Sequence, residues 1–385
     1  MEKSTIFESM GVPPLLVLLV PFFITFAGTP LARNIALKLG IVDVPIKGSS
    51  KIHERPVPYL GGLALFIAIL AGSLIVLEQT QRVLPEDFNA GIVIGAICFI
   101  FLVGLYDDLF GMIPGVKMLM LGVGGTILFF GGGKVTFIPE GWGIGGEVVA
   151  WALTLFWILG ITNSANLMDN MNGLAAGMGV VAGLSVLGIG MIGADPLSMG
   201  LALVLIGGLL GYLPYNYPRA QIFFGDAGSI TLGFYLSFLG LVAGRMSMSG
   251  EFHALSHTLA PIVVMGVFVF DTFFVAFSRG KRGINFWWGG KDHTSHRLVN
   301  FGFSKQLAVI LCWLLGAVFG GASIAIKLSP WWGASLITAF LLAGGIWFWR
   351  KLDLIPVEKV EIGASNVRYR RWGNIGKKIT SKGNS

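Results

Sequence analysis

With 385 residues, 54% of them hydrophobic and only 12% charged, the chain has too few charges to cover a water-facing surface of its size. Soluble domains carry about 25% charged residues, so lipid must be the solvent over most of this chain, whose mean hydropathy is +0.77. The formal net charge of +7 does not imply nucleic acid as a partner, because the basic residues flank apolar runs instead of forming one patch.

A helix needs about 20 apolar residues to cross the hydrocarbon core, and backbone groups left unpaired in lipid are forbidden. The hydropathy pattern predicts eleven spans, at 13–31, 60–77, 90–106, 114–131, 148–164, 173–193, 198–215, 228–245, 259–278, 306–327 and 332–349. The fold class is therefore an all-α, polytopic membrane bundle, with residues 1–350 as the transmembrane domain and 351–385 as a basic tail. Glu2, Lys3 and Glu8 precede the first span where a signal peptide would be basic, so that span reads as a retained helix. The fifth span is the weakest, because polar Thr162, Asn163 and Ser164 end it early. Glycine pairs within the spans, Gly124-Gly125, Gly207-Gly208 and Gly320-Gly321, read as places where helix backbones approach closely. Cys98 and Cys312 lie within apolar runs and read as packing residues.

Placing the 32–59 loop in the cytoplasm puts 21 of the 27 Lys and Arg residues on that side, in 32–59, 216–227, 279–305 and the tail from Arg350. By the positive-inside rule the N-terminus is outside and the C-terminus inside. The dense polar clusters then all fall on the cytoplasmic side, whereas the external acids (Glu78, Glu86, Asp87, Glu140, Glu147, Asp195, Glu251) are scattered. The tail is also suited to contact anionic membrane lipids.

In chain order, the first cluster is Asp107-Asp108, after the third span. Paired carboxylates at a membrane boundary are unfavourable unless they hold a cation or a proton; a solvated helix end is the bland alternative. Lys117 follows near the start of the fourth span, where it can snorkel or hold a phosphate as a point charge. The second cluster carries Asn163, Asn166 and Asp169 at intervals of three on one helical face, with Asn172 beyond. Such a face suits a hard cation or the edge of a uracil ring, and helix capping accounts for one or two of these residues. In the third, Asp226 stands between Gly225 and Gly228, before a helix whose N-terminus, near Gly228, is expected to offer donors to a phosphate. The fourth, in the 279–305 loop, sets His293 and His296 beside Asp292 and Arg297, a plausible diphosphate clamp with too few ligands for zinc. Phe286, Trp287 and Trp288 read as interfacial anchors. There is no Walker-type glycine loop and no Gly-x-Ser-x-Gly. Acids with amides suit Mg²⁺, which keeps few protein carboxylates and shares its shell with phosphates.

In this ordered set the chain resembles the polyprenyl-phosphate N-acetylhexosamine-1-phosphate transferases, which include MraY, WecA and TagO. The resemblance rests on Asp107-Asp108, on Asn163 to Gly173, on Phe224-Gly-Asp226-x-Gly-Ser229, on His-x-x-His-Arg-Leu, and on the Pro-x-Pro-x-x-Gly-Gly entry at 56–62. It implies an enzyme of the bacterial plasma membrane, a homodimer being one assembly it allows. Its reaction would move a sugar-1-phosphate from a UDP-N-acetylhexosamine to polyprenyl (undecaprenyl) phosphate with release of UMP, the first membrane step of a cell-envelope polysaccharide. It further implies that Asp226, with Asn166, ligates Mg²⁺ (or Mn²⁺), and that Asp107 and Asp108 meet the lipid phosphate. Lys117 would meet the diphosphate, Asn172 the uracil region, and His293, His296 and Arg297 the sugar and its phosphate. Relatives often carry His-x-His-His where this chain has His293-Thr-Ser295-His296, and arginine at Tyr59. The three consecutive histidines followed by Phe-Glu of MraY-type chains are missing, which favours the WecA/TagO side and UDP-N-acetylglucosamine. The rival within enzymes is the phospho-MurNAc-pentapeptide translocase. The rival of another class is a transporter, for which Asp271 inside the ninth span would be an ion-path residue.

Overall fold

A computed structural model describes residues 11–43, 56–245, 254–285 and 290–357. The anchors Phe286, Trp287 and Trp288 and nearly all of the basic tail lie outside the described residues. All eleven predicted spans are helical. In chain order the helices are α1 (Pro14–Leu39), α2 (Gly61–Gln79), α3 (Ala90–Phe110), α4 (Pro114–Phe130), α5 (Gly143–Met168), α6 (Leu174–Gly193) and α7 (Pro196–Asn216). There follow α8 (Gly225–Ala243), α9 (Ala254–Val264), α10 (Gly266–Lys281), α11 (Thr294–Phe301), α12 (Lys305–Leu328) and α13 (Trp331–Asp353). Among the described residues the only sheet pairs Val42–Asp43 antiparallel with Val57–Pro58.

Among the described residues nine helices are long and apolar enough to cross a bilayer, and α9 with α10, bent by 63°, makes a tenth if the pair is one span. The predicted 259–278 span is thus two helices, broken at Met265 (φ −83°, ψ 5°) next to Gly266, which is seated against the Phe319 ring. The other short element, α4, has 17 residues, or about 25 Å at 1.5 Å per residue. The fifth span is longer than predicted, because its polar residues do not end the helix. Ser164 Oγ bonds back to Gly160 O at 2.7 Å and accepts from Thr272 of α10 at 2.8 Å. Large apolar side chains at 73–86% exposure (Phe156, Phe340, Ile144) face outward, as lipid contact requires.

Burial ranks the helices. The apolar windows of α7 and α8 are 89% and 94% buried and that of α13 only 6%, so α7 and α8 form the centre and α13 the rim. Glycine makes the centre possible: a Cβ on Gly207 would stand 2.1 Å from Leu18 O of α1, a close backbone approach of the small-residue kind. Gly124 and Gly320 meet side chains instead, Ile100 Cδ1 at 2.4 Å and Ser185 Oγ at 2.1 Å from the Cβ position, while Gly321 meets nothing within 4 Å.

Candidate active site

The N-terminus of α8 is wedged between α2 and α3. A Cβ on Gly62 would lie 2.3 Å from Gly228 N, and one on Gly104 would lie 2.6 Å from Ala227 Cα. The entry stretch before α2 locks the wedge: Phe223 N–H donates to Pro58 O at 2.9 Å, and Gly61 and Gly62 donate back to Phe223 O and Phe224 O at 3.0 Å each. Gly225, at φ +73°, turns the chain into α8 where a Cβ would strike the Asp108 carboxylate.

Asp108 lies in the last turn of α3, and its two oxygens accept the N–H groups of Asp226 (2.7 Å) and Ala227 (2.9 Å). The expectation of phosphate donors at this helix start is therefore corrected. The helix begins three residues before Gly228, and Asp108, 118 positions away in the chain, takes its first donors. Tyr59 donates its hydroxyl to Asp108 O at 3.3 Å.

This cap delivers Asp226 to a polar cluster. Lys117 Nζ, in the first turn of α4, lies 2.9 Å from Asp107 Oδ2 and 3.2 Å from Asp226 Oδ1. From α5, Asn166 Nδ2 donates to Asp226 Oδ1 at 2.7 Å and to Ser229 Oγ at 2.8 Å. Asp169, immediately after α5, is near enough to Asp226 that burial first and then this charge raise its carboxyl to about 7. Asn163 is half-buried one turn earlier on α5. Asn172 Nδ2 donates to Pro218 O at 3.3 Å, and Asn216 Oδ1 accepts from Gly173 N–H at 2.6 Å, tying the α5–α6 turn to the segment leading into α8.

The 279–305 segment joins this end of the bundle through Ser295 Oγ, which donates to Asn170 Oδ1 at 2.8 Å. Much of what reads as loop is α11. His293 Nδ1 is bonded to Asp271 Oδ2 at 2.7 Å, and the His293 and His296 rings are 5.8 Å apart. Asp292 is held by Arg279 (2.9 and 2.7 Å) and by Arg282. Burial would raise the Asp292 carboxyl, but the Arg279 hydrogen bonds and charge bring it to about 2. Arg297, expected on the diphosphate, is 2% exposed. It donates to Leu352 O (2.9 Å), Ile355 O (2.8 Å) and Ser278 Oγ (2.5 Å) and lies over Phe274. Its place is thus a clasp between α11 and the end of α13. Asp271 is the partner of His293 and Thr294, which accounts for a carboxylate inside a span without an ion path.

The opposite end of the bundle is different in kind. There Lys134 pairs with Asp87 at 3.0 Å and, more loosely, with Glu147 at 3.9 Å, and Arg245 donates to Gly132 O at 2.8 Å.

Among the described residues, no three His, Cys, Asp or Glu side chains are grouped to hold a metal by themselves. Mg²⁺ does not need that: it keeps several waters and takes one or two carboxylates together with substrate phosphates. Asp107 and Asp226 around the Lys117 ammonium, with Asp108 against the Asp226 backbone, leave the site acidic, and Asn166, having spent its amide nitrogen on Asp226 and Ser229, keeps a carbonyl oxygen as acceptor. This donor set fits a hard cation bound with its phosphates.

Residues 90–244 match the family model described as glycosyl transferase family 4, and the helix bundle with its acidic end defines an integral membrane transferase of that kind. The chain belongs to this family. It is 37% identical over 325 residues (82% of this chain, 85% of the relative) to a probable undecaprenyl-phosphate N-acetylglucosaminyl 1-phosphate transferase of Bacillus subtilis. To the decaprenyl-phosphate N-acetylglucosaminephosphotransferase of Mycobacterium tuberculosis it is 31% identical over 357 residues (86% and 87%). To the phospho-N-acetylmuramoyl-pentapeptide-transferase of Streptococcus pneumoniae it is 29% identical over 267 (66% and 77%).

The sequence marked Asp107, Asp108, Lys117, Asn166, Asp169 and Asp226 in three separate clusters, which the structure brings to one end of the bundle. It did not mark Ser229 as a partner of Asn166, Tyr59 as a support of Asp108, or Asp271 as the partner of a histidine. Asp271 carried a signal, being a carboxylate in an apolar span, but its partner lies 22 residues away across the α10–α11 connection.

Proposed function

We propose that the protein transfers N-acetylglucosamine-1-phosphate from UDP-N-acetylglucosamine to a polyprenyl phosphate in the bacterial plasma membrane, at the cytoplasmic face, with the N-terminus outside. The observation that carries this reading is the Asp107–Lys117–Asp226–Asn166 cluster at one end of the bundle. The relatives named above act on undecaprenyl or decaprenyl phosphate by their names, which supports the acceptor class.

An oxygen of the polyprenyl phosphate attacks the sugar-bearing phosphorus. The bond from that phosphorus to the bridging oxygen breaks, UMP leaves, and a polyprenyl-diphospho-sugar remains. A phosphate monoester has its second pKa near about 6, so the nucleophile is largely dianionic at neutral pH and charge neutralisation matters more than a base. Lys117 places an ammonium between Asp107 and Asp226, where it can move onto phosphoryl oxygens as charge develops. Asp108 acts by holding Asp226 in place through the start of α8. Asp107, turned to Lys117, keeps that lysine oriented toward the acceptor phosphate. Asp226 and Asn166 would hold Mg²⁺, which supplies charge neutralisation on the diphosphate when bound. Asp169, its carboxyl raised to about 7, can in its protonated form donate a hydrogen bond to the nucleotide, to which Asn163 and Asn172 are also assigned.

The test is UMP release by purified protein with undecaprenyl phosphate and a panel of UDP-sugars, with and without Mg²⁺. Turnover with UDP-N-acetylglucosamine and none with UDP-MurNAc-pentapeptide is expected; the reverse preference would assign the chain to the translocase reaction, and no UMP with any donor would end the enzymatic reading.

A further inference from the structure

Asp271 is 3% exposed within α10, and an ionisable group inside a span calls for a specific reason. Its two oxygens each have one partner: Oδ1 accepts the backbone N–H of Thr294 at 2.7 Å, and Oδ2 is bonded to His293 Nδ1 at 2.7 Å. Thr294 is the first residue of α11 and His293 its N-cap, so one carboxylate fixes both a helix start and an imidazole ring. An ionised carboxylate only accepts, so Nδ1 must carry the proton, and Nε2 is left to accept from a ligand when the ring is neutral or to donate to one when it is charged. His293 Nε2 has no partner among the described residues. One turn on, His296 is 6% exposed and its Nδ1 has no hydrogen-bond partner. A buried polar atom without a protein partner calls for something else to supply it. Ser295, between the two histidines, is tied to Asn170 beside Asp169, which joins this histidine pair to the acidic cluster.

We infer that Asp271 is a positioning residue of the transfer reaction: it holds His293 with Nδ1–H on its carboxylate, so that Nε2 is the nitrogen offered to the sugar-phosphate. The inference rests on the transferase reading above. A residue that served only to cap α11 would predict something different, and Asp271→Asn separates the two. Asparagine still accepts from Thr294 N–H, but its amide donates to Nδ1 and drives the proton to Nε2.

The experiment combines steady-state UMP release with ¹⁵N NMR of histidine-labelled full-length protein in lipid nanodiscs. For Asp271→Asn, kcat is expected to fall about 10- to 100-fold while KM for UDP-N-acetylglucosamine stays within about threefold. Asp271→Glu should recover part of the loss. Asp271→Asn combined with His293→Gln should be no slower than the slower single variant, because the two act as one unit. The wild-type spectrum should show His293 protonated at Nδ1. Wild-type turnover in Asp271→Asn, or a wild-type His293 bearing its proton only on Nε2, would overturn the proposal while leaving the transferase reading intact. Absence of UMP from the wild type would instead overturn that reading. Should Asp271→Asn fail to fold, the wild-type spectrum still decides.

Discussion

The acidic cluster of α3, α4, α5 and α8 has three carboxylates and one ammonium, the histidine segment around α11 three guanidinium groups and two carboxylates, and they spend their charges differently. In the first, Lys117 is shared between two carboxylates at 2.9 and 3.2 Å and remains 16% exposed, a cation that can exchange partners. In the second, Arg279 and Arg282 are committed to Asp292, and Arg297 to carbonyls of the α13 terminus. A basic residue in a motif is thus not by itself a substrate ligand: Arg297 is spent on backbone carbonyls that cannot leave, whereas Lys117 is held by two side chains that a phosphate can replace.

The comparison breaks if the two groups of residues respond alike to substitution. The largest expected effect is at Asp226: Asp226→Asn should lower kcat for UMP release by about 10³-fold with a thermal midpoint close to wild type. Lys117→Met should follow, with a loss of about 10²-fold in kcat/KM; near wild-type turnover in either variant would dismantle the assignment. At Arg297, in the histidine segment, the effect should be structural. Arg297→Ala leaves the Leu352 and Ile355 carbonyls without their donor and should cost about 1–3 kcal/mol of stability, read as a lower thermal midpoint in detergent, with turnover per folded molecule little changed. Asp108→Ala sharpens the contrast from within the first cluster, since it removes the cap of α8 and should cost about 1–2 kcal/mol as well as activity.

The smallest effect is a pH slope. Burial, and then the charge of His293, lower the His296 pKa to about 3, against a usual value near about 6.5. As pH falls through that window the unfolded chain gains a proton that the folded chain refuses, so His296 stabilises the fold above about pH 6.5 and that contribution fades toward pH 3. The thermal midpoint of His296→Gln should therefore change less than that of wild type between pH 7 and 5. Equal slopes would show that His296 is not held neutral.

The helices were legible because each is a run of apolar residues near the length a bilayer demands, and the cluster at their ends because carboxylates and amides are rare in such a chain. Pairings across the fold were not legible. That Asp108 caps α8 depends on Gly62 and Gly104 admitting that helix between α2 and α3, and that Arg297 serves α13 depends on where that helix ends. Local pattern also misplaced the start of α8 and hid the break at Met265, since neither follows from hydropathy.

The most direct test of the account follows the phosphorus itself. With UDP-N-acetylglucosamine labelled in its sugar-bearing phosphate, purified protein, undecaprenyl phosphate and Mg²⁺, the label should pass into the lipid phase in step with UMP in the water phase. Label that stays in water while UMP appears, or that remains on the protein, would contradict direct transfer.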